Sequence, residues 1–283
     1  MKTSFGCFPC YFTQILKTSA LLGLTEIQTR QALIRFGAWL EELPMEASPA
    51  ANGLPLYRML SEISGVEDPY RKTKDKCTRT ALGLYPELKQ RVRSAPDPLF
   101  EAVRVAVAGN LIDFGTMLDF NVREDIEAIL DQEFYINDYP ALRSALSQAR
   151  DLIVLGDNAG ETVCDRILLE ELPQRAQYVV REKPIINDAT YEDAVAAGID
   201  QVADIISSGC EAPATIMELC SPDFQKRLRS ADLVISKGQG NFEGLSDESL
   251  PIFFLLKAKC TVVAEHLDVP QGSIILLRSP HFP

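Results

Sequence analysis

After residue 151 the chain is built from short apolar runs rich in β-branched residues: "DLIVLG", "QYVVR", "DIISSG", "DLVISKG", "CTVVAE" and finally "SIILL". Between most of them lie stretches with helical spacing, "TVCDRILLEEL", "YEDAVAAG" and "ESLPIFFLLKAKC". Short apolar strands alternating with helices predict a parallel sheet covered on both faces, with right-handed crossovers. Before residue 147 the grammar differs. "TEIQTRQALIRFGAWLEEL" follows a threonine able to cap it, and "PDPLFEAVRVAVAGNLIDFG" runs from a proline-rich start to a glycine stop. "VREDIEAIL" reads as a shorter helix, and "YPALRSALSQAR" is expected to lead into the sheet as another. No convincing strand is read in this half. The expected division is a helical N-terminal domain or cap over 1–147 and a sheet domain over 148–283.

In open α/β sheets, ligands bind outside the carboxyl ends of the strands, where loops vary and helix N-termini converge. Here the first strand runs into Gly156, Asp157, Asn158, Ala159, Gly160 and Glu161. The second reaches Asn187 and Asp188 after an extended "KPII", the third ends at Ser207, Ser208 and Gly209, and the fourth at Lys237, Gly238, Gln239, Gly240 and Asn241. One polar loop would mean little; four in succession on one sheet edge describe a binding site. Asp157, Asn158 and Asp188 are hard oxygen ligands suited to Mg²⁺ or Mn²⁺. Lys237 is a compact charge for a phosphate, and Ser208, Gly209, Gly238 and Gly240 leave backbone N–H groups open to phosphate oxygens. A metal-assisted phosphoryl site follows from these types together. Each has a plainer alternative: Asp157 and Asn158 as turn residues, Asp188 as the cap of "TYEDAVAAG", Lys237 as a solvated strand end. Asn110 and Asp113, at i and i+3 on the apolar face of their helix, either pair with each other and the backbone or line the pocket from above.

Charge and missing parts narrow the chemistry. The 283 residues carry 28 Lys and Arg against 40 Asp and Glu, a net charge of −12. That field repels nucleic acid and anionic membrane surfaces, so neither is an expected partner, and an anionic substrate needs a local positive element. With only His266 and His281, zinc-hydrolase clusters and Ser-His-Asp triads lack their parts. Position 159 is Ala, where a haloacid-dehalogenase-type site needs a second Asp, and "GDNAGE" is neither a dinucleotide nor a P-loop fingerprint. No apolar run is long enough to cross a membrane, no secretory signal is read, and seven scattered cysteines suit a reducing cytoplasm. Cys7 and Cys10 form a C-x-x-C that reads as a pair of buried thiols or as half of a zinc site with Cys77.

Taken in order, "DNAGE", "INDAT", "SSG", "SKGQGNFE" and "KAKC" followed by "VVAEHLDV" closely resemble the damage-control phosphatases, and "CFPC", "DPYRKTK" and "AGNLIDFG" resemble the archaeal and bacterial subgroup. The likeness spans nearly the whole chain; it departs at Cys77, where asparagine is expected. The resemblance implies a three-layer α/β/α sandwich with a mostly parallel, Rossmann-like sheet, plus an N-terminal all-helical region, with the active site in the cleft between them. It implies Asp157, Asn158 and Asp188 as metal ligands, with Glu161, Asn110, Asp113 and Lys237 nearby. It also implies hydrolysis of phosphate esters of small metabolites, sugar phosphates or damaged cofactors, with Mg²⁺, Mn²⁺, Co²⁺ or Ni²⁺. On this reading Asp157 or Asp113 positions the water or acts as base, and Lys237 with the Ser208–Gly209 and Gly238 backbone holds the phosphate. The rivals are an adenosylmethionine-dependent carboxyl methyltransferase and a non-catalytic metal or sugar-phosphate binder. The substrate and the oligomeric state are left open.

Overall fold

The computed structural model describes residues 1–109 and 122–282, the first four of the second stretch by backbone alone. Asn110 and Asp113 lie outside the described residues. The first half supplies α1 (Phe8–Leu21), α2 (Glu26–Trp39), α3 (Pro49–Ser64), α4 (Arg71–Ser94), α5 (Pro98–Ala108) and α6 (Val122–Leu130). Then come β1 (Ile136–Asn137), α7 (Tyr139–Gln148), β2 (Leu152–Leu155), α8 (Thr162–Glu171), β3 (Gln177–Val180), α9 (Tyr191–Ala196) and β4 (Asp204–Ser207). The chain closes with α10 (Pro222–Arg229), β5 (Leu233–Lys237), α11 (Gln239–Leu245), β6 (Ile252–Lys257), α12 (Thr261–Leu267) and β7 (Ile274–Arg278).

The seven strands form one sheet in the order β1-β7-β6-β5-β2-β3-β4, parallel except for the β6–β7 pair. Strand pleating sends alternate side chains to opposite faces. Leu152, Val154, Tyr178, Val180 and Leu233 join α4, α5, α7 and α8 in one buried core. Ile153, Leu155, Val179, Val234 and Phe254 join α10, α11 and α12 in the other, where Ala50 and Leu54 of α3 also reach the sheet. Each such buried aliphatic or aromatic side chain contributes roughly 1.5–3 kcal/mol. Helices α1, α2 and α3 close a third cluster around Ile15, Phe36 and Leu60. Thr25 starts α2 with a capping box to Gln28.

Four features differ from the sequence expectation. "IFFLLK" is strand β6, not helix: Pro251 precedes an unbroken apolar run buried on both faces, a pattern periodicity alone cannot separate from a buried helix. "TVVAE" begins α12, not a strand; only Val263 and Ala264 are buried, one face of a short amphipathic helix that overrides β-propensity. β7 runs antiparallel to β6, so the sheet is mostly rather than wholly parallel. β1 is a real strand before residue 147, but its two residues, paired with Ile275 and Leu276, are too few to leave a pattern.

The topology fixes where a site can form. From β2 the chain moves outward to β3 and β4, then returns to β5 on the other side and moves outward to β6. The reversal between β2 and β5 is the switch point at which such sheets open a crevice. Register places Leu155 opposite both Val179 and Ser236, so the loops after β2, β3 and β5 emerge side by side. Among the described residues no helix is long and apolar enough to cross a membrane.

Candidate active site at the switch point

The loops after β2 and β3 are zipped together by their backbones. Ala159 N donates to Asn187 O (2.8 Å), Ala189 N donates to Asp157 O (2.9 Å), and Asn158 and Asp188 form an isolated antiparallel bridge. This sets Asp157, Asn158 and Asp188 on one wall of a cavity of about 300 Å³. Across it stand Lys17 of α1, Tyr57 of α3, Tyr70, and Thr73 of α4. The cavity therefore lies between the helical segment and the carboxyl edge of the sheet. Asp188 does not cap α9; Thr190 does, in a capping box with Asp193.

Each acidic side chain is held from behind. The fully buried Arg181 donates Nε to Asp188 Oδ2 (2.7 Å), Nη1 to Thr215 Oγ1 (2.9 Å) and Nη2 to Asn241 Oδ1 (2.8 Å). Asn158 Nδ2 donates to Asp157 Oδ2 (3.0 Å) and Glu161 Oε1 (2.7 Å). Lys237 Nζ donates to Glu161 Oε2 (3.3 Å) and Asp165 Oδ1 (2.5 Å), and Tyr178 OH donates to Asp165 Oδ2 (2.7 Å). Lys74, buried in α4, bridges Asp68 and Asp193 and ties the helical segment to α9, the helix that follows the Asp188 loop. Gly238 has φ +82°, and a Cβ there would lie 1.8 Å from Asp157 Oδ2, so only glycine lets β5 end beneath that carboxylate.

The predicted site residues thus separate into two groups. Asp157, Asn158 and Asp188 meet at the cavity, and Gly240 joins its wall. Glu161 and Lys237 are buried behind them as an ion pair, and Gly238 packs under Asp157. Ser208 and Gly209 do not line the cavity: the Ser208 hydroxyl donates to Val180 O, and Gly209 packs against Ser221. Lys259, directly beyond β6, lines the cavity and was missed, as were Arg181 and Asp165. Cys7 is buried, Cys10 exposed, and Cys77 lies in a different core cluster from Cys7. Among the described residues no group of three or more His, Cys, Asp or Glu is arranged to hold a metal.

Electrostatics follow from burial. Burial, followed by the charge of Asp188, pushes the Asp157 carboxyl up to about 6. Burial pushes Glu161 up to about 7 against the pull of Lys237, and raises Asp188 despite Arg181. For Lys237 burial opposes the charge, yet Asp165 and Glu161 outweigh it and hold the ammonium protonated. Because Asp157 and Glu161 titrate above the ordinary carboxylate range near 4, the native state retains protons that the unfolded chain releases between about pH 4.5 and 7. Stability then falls as pH rises through that window. Metal-free protein is expected to melt several degrees higher at about pH 5 than at about pH 6.5 in a calorimetric scan. A rise in melting temperature across this interval would instead show both carboxylates ionised and satisfied.

An α/β sheet with a paired-carboxylate cavity at its switch point, facing a helical segment, is the frame of a small-molecule enzyme. The sequence profile of the damage-control phosphatase ARMT1-like domain matches residues 3–275, and the chain belongs to that family. A damage-control phosphatase of Pyrococcus horikoshii is 33% identical over 287 residues, covering 99% of both chains. One from Archaeoglobus fulgidus is 37% identical over 78% of this chain and 79% of its own. The crystal structure of a DUF89 family protein from Pyrococcus horikoshii superposes with a TM-score of 0.90 at 32% identity, covering 99% of each chain.

Proposed function

We propose that this chain is a divalent-metal-dependent phosphatase that hydrolyses phosphate monoesters of small metabolites, sugar phosphates or damaged phosphorylated metabolites. The observation that carries the reading is the meeting of Asp157, Asn158 and Asp188 on one cavity wall at the switch point. A phosphatase of damaged metabolites is what the family and its named relatives support. The donor set fits a hard cation that keeps several waters: two carboxylates and an amide, all oxygen donors. The excess charge fits as well: Asp157, Glu161, Asp165 and Asp188 are all buried, and the buried cations that directly bond to them among the described residues are Lys237 and Arg181. Bound there, Mg²⁺ or Mn²⁺ (Co²⁺ or Ni²⁺ as substitutes) would polarise the phosphoryl group and lower the pKa of a water.

The chain's own groups have separate tasks in this reading. Arg181 occupies Asp188 Oδ2 and fixes the carboxylate's direction. Glu161, anchored by Lys237, holds the Asn158 amide in place. Lys259, whose backbone N–H is fixed by Gln239 Oε1 (2.8 Å), takes over the phosphate-holding role that the sequence assigned to Lys237. The segment up to about residue 147 acts as a cap that encloses the ester. Seven free cysteines support a reducing compartment such as the cytoplasm.

The test is phosphate release from p-nitrophenyl phosphate with Mg²⁺, Mn²⁺, Co²⁺ and Ni²⁺ in turn, with a chelator control. Release with at least one ion, lost on chelation, is expected. No release with any of them would leave a binding protein, and heat on titration with adenosylmethionine without phosphate release would point to a methyltransferase.

A further inference from the structure

The cavity carries cations from two separate parts of the chain. Lys259 comes from the loop after β6 and shares the cavity with Asp157. Lys17 comes from α1, where Gln14, Lys17 and Leu21, at i, i+3 and i+7, present one helix face to the same space. No carboxylate pairs with Lys17 among the described residues; the same holds for the exposed Arg30, Lys72, Lys76 and Arg79, but of these only Lys17 lines the cavity. In a protein of net charge −12, a solvent-exposed ammonium on the lining of a ligand cavity supplies a local positive charge for an anion. On the proposed function, one phosphate at the Asp157 end is served by Lys259, which lines the cavity there. A neutral leaving group would gain nothing from a second cation, while an anionic one would be repelled without it.

We propose that Lys17 determines specificity, and that the substrate is a phosphate ester bearing a second anionic group, a carboxylate or another phosphate, which Lys17 meets from the helical side of the cavity. This rests on the phosphatase reading and deepens it. At about 300 Å³ the cavity is at the small end of ligand sites, which suits a compact metabolite.

The matched probes are 3-phosphoglycerate and glycerol 3-phosphate, which differ only in a carboxylate against a hydroxymethyl group. The quantity read is the ratio of their kcat/KM values in wild type, Lys17→Gln and Lys17→Arg, with melting temperatures as the folding control. Lys17→Gln is expected to lower the ratio in favour of phosphoglycerate at least about fivefold, chiefly through KM, and Lys17→Arg to retain it. The wild-type preference should also shrink between about 0.02 and 0.5 M salt, as a solvent-accessible charge pair does. Release from both esters with a ratio unmoved by Lys17→Gln overturns the assignment of Lys17 alone. Release from p-nitrophenyl phosphate but from neither ester overturns this inference alone, and no release from any of the three esters by wild type with any of the four metals overturns the phosphatase reading and this inference with it.

Discussion

Asp157→Asn is expected to lower kcat/KM for phosphate release by about a thousandfold or more while raising the melting temperature of the metal-free protein. The two effects have one cause. Asp157 is buried, and its carboxyl is pushed up to about 6 by burial and by Asp188, so the fold holds a charge it does not favour. Replacing it with the isosteric amide removes that repulsion and stabilises the fold. The same change removes a charged oxygen donor from the wall where the ester reacts, and a loss of about 4 kcal/mol in transition-state stabilisation corresponds to that rate factor. A residue serving only the fold would show the reverse: a lower melting temperature with turnover retained. Near-wild-type turnover at saturating metal would remove Asp157 from the mechanism, and unchanged stability would remove the electrostatic explanation of its pKa.

How much of this was legible in the sequence depended on one kind of information. Strand ends are visible as apolar runs that stop at polar residues, so Asp157, Asn158 and Asp188 could be placed on one edge before any coordinates. Lys237 was visible by the same rule, but the partners of its side chain were not. Its position at the end of β5 is plain, while the face its side chain takes depends on the pleat, and it turns to Asp165 and Glu161. Lys259 obeys the rule too, and was lost only because "IFFLLK" was read as helix; once it is β6, the lysine sits at a strand's carboxyl edge. Arg181 had a faint signal, a charge closing "QYVVR", and Asp165 another, an acid on the apolar face of "TVCDRILL". Lys17 and Tyr57 had none. They reach the cavity through the docking of α1 and α3, and no local pattern encodes where a helix group will sit against a sheet.

Arg181→Met should destabilise the protein by roughly 3–5 kcal/mol, the range for removing one partner of a buried ion pair. That corresponds to a fall in melting temperature on the order of 10 °C. Arg181 is 2% exposed and donates to acceptors on three different segments: Asp188 after β3, Thr215 before α10, and Asn241 in α11. Methionine fills comparable space but leaves a buried carboxylate, a hydroxyl and an amide oxygen short of a donor. The Asn241 oxygen retains the Thr215 backbone N–H (2.7 Å), so the largest uncompensated group is Asp188. Adding Asp188→Asn to Arg181→Met is therefore expected to recover about 1–3 kcal/mol, measured as coupling in a double-mutant cycle from denaturant melts. Arg181→Lys should recover little, because one ammonium on a flexible stem cannot reproduce a planar fork aimed at three acceptors. Additive effects of the two substitutions would show that Asp188 is not held by Arg181. The carboxylate's direction toward the cavity would then need another origin, and the reason for burying an arginine at the switch point would be lost with it.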